Sequence, residues 1–237
     1  MAKEVAETLT EHYQKTFELT YEVWKERNGL FVYLVITTGI GLLLLLRVPE
    51  LSSLLVDAIV KFLGITDPVR IAQLYKDFPL DTLLSVIFII VFYLMQRLYS
   101  TNVSVFRNYQ YLGALEDEIR KHLALSEDSV AFTREGRFYW KGRSVTQIMS
   151  KWYYIFVIGI VLLPFIILKI IADLNVGNWI LILVDGGIAL VTLIYFFEYA
   201  HSSVLLDVSK VPSTPVASVK PDTKIQEEAI PESKPLA

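Results

Sequence analysis

Residues 152–199 read WYYIFVIGIVLLPFIILKIIADLNVGNWILILVDGGIALVTLIYFFEY. Two long apolar runs lie here, separated by a short polar turn, and until Glu198 the charges are Lys169, Asp173 and Asp185. Each run is long enough to cross the roughly 30 Å hydrocarbon layer of a bilayer as a helix rising about 1.5 Å per residue. The stretch therefore reads as a transmembrane hairpin: one span over 152–172, a turn over 173–178 and a second span over 179–199. Trp152, Tyr153 and Tyr154 form an interfacial aromatic belt at its entrance. Pro164 removes a backbone donor midway along the first span and is expected to bend it.

Working toward the N-terminus, residues 29–47 hold an uncharged apolar run bounded by Arg27 and Arg47, and residues 80–97 a second one between Asp81 and Arg97. These make four spans. The expected fold is an all-α integral membrane protein, with four transmembrane helices, cytoplasmic helical extensions and a small cytoplasmic β-hairpin. Whole-chain composition agrees, with 54% hydrophobic and 20% charged residues in 237 and the charges gathered in blocks.

The extensions come from periodicity. In residues 1–28, Val5, Ala6, Leu9, Tyr13, Phe17 and Trp24 share one side of a helix while glutamates gather on the other. Residues 98–151 begin with a continuation of the second span whose apolar face carries Val105, Leu112, Leu115 and Ile119. The two faces match, so Phe17, Trp24, Leu112, Leu115 and Ile119 are candidate packing residues between the extensions. Residues 130–140, VAFTREGRFYW, predict a hairpin turning at Glu135-Gly136. Its alternation of bases and rings, with Arg134, Arg137, Trp140, Lys141 and Arg143 as the candidates, suits a lipid headgroup layer better than single-stranded nucleic acid, given how near the next span begins.

Residues 48–79 read as an outer loop with surface helices, in which Asp67 caps a helix that starts at Pro68. Residues 200–237 form a cytoplasmic tail; from about 210 its five prolines and scarcity of large apolar side chains predict disorder. Lysine and arginine are split seventeen on the side of both termini against five on the other. The positive-inside rule therefore places the N- and C-termini in the cytoplasm of a multi-pass cell-membrane protein. The absence of cysteine fits a bacterial inner membrane or an archaeal cytoplasmic membrane and excludes disulfides and thiolate chemistry.

Catalytic motifs are absent: no phosphate-binding glycine loop, no HExxH and no Gly-x-Ser-x-Gly occur. His12, His122 and His201 are scattered and read as surface or packing residues. No cofactor, metal or nucleic-acid partner is expected. The sharpest signal is Asp185, an ionisable side chain inside a span, with Lys169, Arg47 and Asp81 expected near the same end. Two readings stand side by side: a carboxylate that binds a proton or ion, and a structural ion pair with Lys169 or Arg47. The function expected is non-catalytic: a self-associating pore-forming or membrane-perturbing effector or scaffold, embedded in the lipid bilayer, with a cytoplasmic surface for a protein partner. The alternative is a small ion- or proton-coupled transporter using Asp185.

Overall fold

The computed structural model describes residues 2–46, 49–77, 80–126, 129, 131–132 and 145–205. These form six helices: α1 (Ala2–Leu45), α2 (Pro49–Leu63), α3 (Pro68–Asp77), α4 (Leu80–His122), α5 (Val145–Val176) and α6 (Trp179–Leu205). The described residues include no strand. Most of the expected hairpin, with Arg134, Arg137, Trp140, Lys141 and Arg143, lies outside the described residues, as do Arg47 and the tail from 206.

Helices α1, α4, α5 and α6 are long and apolar enough to cross a membrane. They pack as a square in which α1 touches α4 and α5, and α6 touches α4 and α5. The centre is filled by Leu34, Phe88, Met95, Leu162, Phe165 and Phe196, with the Phe88 and Phe165 rings edge to face at 5.5 Å. Gly41 makes room for this crossing. A Cβ there would lie 2.6 Å from Cε2 of Phe165 and 3.1 Å from Cγ2 of Ile87.

The outward faces of these helices are apolar too. Val32, Tyr33, Ile36, Ile40 and Leu43 on α1, and Val86, Ile89, Ile90 and Tyr93 on α4, are exposed. A helix apolar all round belongs in an apolar medium. Farther toward the N-terminus the outward face of α1 changes to Glu7, Glu11, Lys15, Glu18, Glu22 and Lys25, the mark of a helix in water. Neither α1 at Asn28-Gly29 nor α4 at Thr101-Asn102 breaks where this change occurs.

Beyond the bundle, α1 and α4 continue as an antiparallel two-helix stalk. Ala6 and Thr20 of α1 are buried there with Val105, Leu112, Leu115 and Ile119 of α4. The Tyr13 hydroxyl donates to the buried Glu116 carboxylate at 2.9 Å, and His12 shares a 2.9 Å hydrogen bond with the Tyr111 hydroxyl. Phe17 is half-buried. Trp24 departs from the expected packing: it is 37% exposed and stacks on Tyr21 at the base of the stalk. At the tip, the guanidinium of Arg120 donates to the carbonyls of Ser126, Ser129 and Ala131, folding the chain back over the end of α4.

At the opposite end, the Asp67 carboxylate accepts from Val69 N–H at 3.0 Å and caps α3, while Gly64, with φ +64°, ends α2. The junction between α5 and α6 is tighter than expected from hydropathy. It contracts to Gly177 and Asn178: Gly177 adopts φ +73° and closes α5, and the Asn178 side chain accepts from Ile180 N–H at 3.1 Å to open α6. Asp173, expected in the turn, thus lies inside the last turn of α5.

Candidate intramembrane charge site

Helical spacing sets Lys169 and Asp173 one turn apart on α5, side by side. Both point into the bundle, toward the first turns of α6, where Asp185 enters from the neighbouring helix. The Lys169 ammonium donates to Oδ1 of Asp173 and to Oδ2 of Asp185, the latter at 2.6 Å. From α4, the Ser85 hydroxyl donates to the same Asp185 oxygen at 2.7 Å and also lies 3.2 Å from the Asp81 carbonyl. Three helices thereby converge on one cluster.

All three charged side chains are at most 2% exposed. A lysine so buried is rare unless paired, and here the single ammonium meets two carboxylates. One oxygen of each carboxylate, Oδ2 of Asp173 and Oδ1 of Asp185, is buried with no hydrogen-bond partner among the described residues. Buried charges are stable only when paired and hydrogen-bonded, so the two orphaned oxygens are the chemically unusual feature of this bundle.

Of the residues singled out from sequence, Asp185 and Lys169 are brought together. Arg47 lies outside the described residues. Asp81 is only partly buried and stands one helical turn from Ser85, toward the end of α4. Asp173 and Ser85 were not anticipated. Asp173 escaped because the apolar run stops at Ala172, which invites a turn; its i,i+4 spacing from Lys169 was the available signal. Ser85, a small hydroxyl in an apolar helix, carries no such signal.

A second polar group sits where the bundle meets the stalk. Asn102, buried on α4, donates toward the Ser202 and Ser203 hydroxyls of α6 at 3.3 Å each and accepts from Arg27 of α1 at 3.4 Å. The Arg97 guanidinium donates to the Glu26 carboxylate nearby. These mutually satisfied contacts tie three helices together at the base of the stalk and leave no group poised for chemistry. His122 and His201 are exposed, and among the described residues no three His, Asp or Glu side chains gather as metal ligands. No family model matches the chain, and neither a curated protein nor a solved structure does.

Proposed function

We propose that the chain is a non-catalytic, self-associating scaffold of the cell membrane, with the stalk and both termini in the cytoplasm. The observation that carries this reading is the continuity of α1 and α4, 44 and 43 residues long, from the apolar bundle into the charged stalk. At about 1.5 Å per residue each exceeds 60 Å, twice the hydrocarbon thickness. The excess is a rigid two-helix platform with an acidic outward face, suited to a protein partner bearing basic groups. Scaffolding is favoured over pore formation because Asp185 spends its charge on Lys169 inside one chain, instead of facing a neighbour across an oligomer's axis.

Stoichiometry and conductance in lipid test the proposal together. Purified protein in nanodiscs should form dimers or larger assemblies, and liposomes carrying it should remain tight to ions. A strictly monomeric protein, or one that conducts, overturns the scaffold reading.

One observation supports a second reading, a small proton-coupled transporter using Asp185: the cluster holds one carboxylate more than its lysine can neutralise. Its test is proton-linked flux across liposomes under an imposed pH gradient, with Asp185→Asn expected to abolish it.

A further inference from the structure

Both carboxylates of the cluster, if ionised beside Lys169, leave one uncompensated negative charge. In a bilayer such a charge is costly and persists only when it is paired, hydrogen-bonded or neutralised. Ser85 offsets part of this by donating to Asp185, but no donor among the described residues reaches the two remaining oxygens. Among the described residues, the other charged and polar groups at this end do not supply the missing charge. On α4 they are Ser85, Asp81, itself acidic, and the exposed Thr82; on α6, Asp185; on α5, Lys169, Asp173 and the exposed Asn175; the end of α1, Gly41–Leu45, is wholly apolar, and Arg47 lies outside the described residues. A metal cation fits poorly. The ammonium already stands between the carboxylates, and two free oxygens fall short of the six or so that hard cations require.

We infer that the Lys169–Asp173–Asp185 cluster is a binding site for a single proton, held on Oδ2 of Asp173 or Oδ1 of Asp185. Uptake forms one O–H bond, brings the cluster to neutrality and turns an orphaned acceptor into a donor. Asp173 lies three residues from the end of α5, about 5 Å along the axis, so the proton exchanges with the side of the membrane that the α5–α6 turn faces. The inference rests on the membrane placement and deepens the proton reading of the site, yet it requires no transport.

Infrared difference spectroscopy of the protein in nanodiscs tests it on the unaltered chain. A protonated carboxylic acid gives a carbonyl-stretch band, shifted in D2O, that an ionised carboxylate lacks. The wild type should show one such buried band near neutral pH, lost as pH rises. Asp173→Asn and Asp185→Asn should each abolish it, because the surviving carboxylate then pairs one to one with Lys169. Lys169→Gln should double it, and Asp81→Asn should leave it unchanged. Absence of the band in the wild type overturns the inference without any variant having to fold, and so does its survival in either aspartate variant. A band present in a protein that moves no protons keeps the site and discards the transporter.

Discussion

Remove the Asp185 carboxylate and Lys169 still faces Asp173; remove the ammonium and two carboxylates are left with no cation between them. The three members are therefore not equivalent. Taking one partner out of a buried ion pair costs about 3–5 kcal/mol when it strands the other charge. Lys169→Gln should approach that range, whereas Asp185→Asn, which strands no charge and weakens the two hydrogen bonds from Lys169 and Ser85, should cost about 1–2 kcal/mol. Thermal unfolding of the two variants in the same detergent measures the difference, and equal losses would show that Asp173 does not share the lysine. Gly41 provides the apolar counterpart. Its absent Cβ is occupied space for Phe165, which is itself fully buried, so Gly41→Ala should cost about 1–3 kcal/mol through overpacking. The same change at Gly186, which has nothing within 4 Å of the added carbon, should be nearly silent.

Helices α2 and α3 are joined side to side by the Tyr75 hydroxyl, which donates to the Asp57 carboxylate. That hydrogen bond, aided by some burial and by the negative charge of Asp57, raises the phenol above its ordinary value near 10. A group whose folded value is raised stabilises the fold below its unfolded pKa, and the contribution is lost as pH climbs through the raised value. The clasp should therefore hold at neutral pH and open in strong alkali, and Asp57→Asn should lower the Tyr75 titration midpoint in an ultraviolet absorbance titration. In the stalk, Leu115 and Ile119 are buried against α1, and burying such side chains contributes about 1.5–3 kcal/mol each. Leu115→Asp should expose the N-terminal half of α1 to limited proteolysis while the bundle stays intact. Much at this scale was legible beforehand. Apolar periodicity marks Leu112, Leu115 and Ile119 because a stalk helix in water must turn one face inward. It misled at Trp24, where an indole with an apolar body and a polar N–H also suits a half-exposed site stacked on Tyr21. It was blind to Thr20, a polar residue that is buried because its hydroxyl donates to the Thr16 carbonyl.

For the molecule as a whole, four apolar runs with charge blocks between them make the four helices long and apolar enough to cross a membrane readable, because an uncharged run of about 20 residues is the mark of such a helix. Which helix touches which was not readable: a helix apolar on every face gives no sign of its inward side, so the square order of α1, α4, α6 and α5 came from packing at positions such as Gly41 and Phe165. The proposed orientation has a direct check in a chain without cysteine. Single cysteines placed at Ser126 and at Ser53 should differ toward a membrane-impermeant maleimide in intact cells, with Ser53 labelled and Ser126 protected; the reverse pattern inverts the topology. The unbroken passage of α1 and α4 through the level of Asn28 and Asn102 also has a mechanical meaning. From Ala2 to Asn28 the stalk is a lever about 40 Å long, hinged nowhere along its length. Spanning helices meet a change of bilayer thickness by tilting, and a tilt of about 10°, within the scatter of ordinary helix crossings, swings the tip by about 7 Å. On the placement proposed above, a change of membrane thickness becomes a displacement of the tip of the stalk, much as a needle magnifies the movement of its pivot.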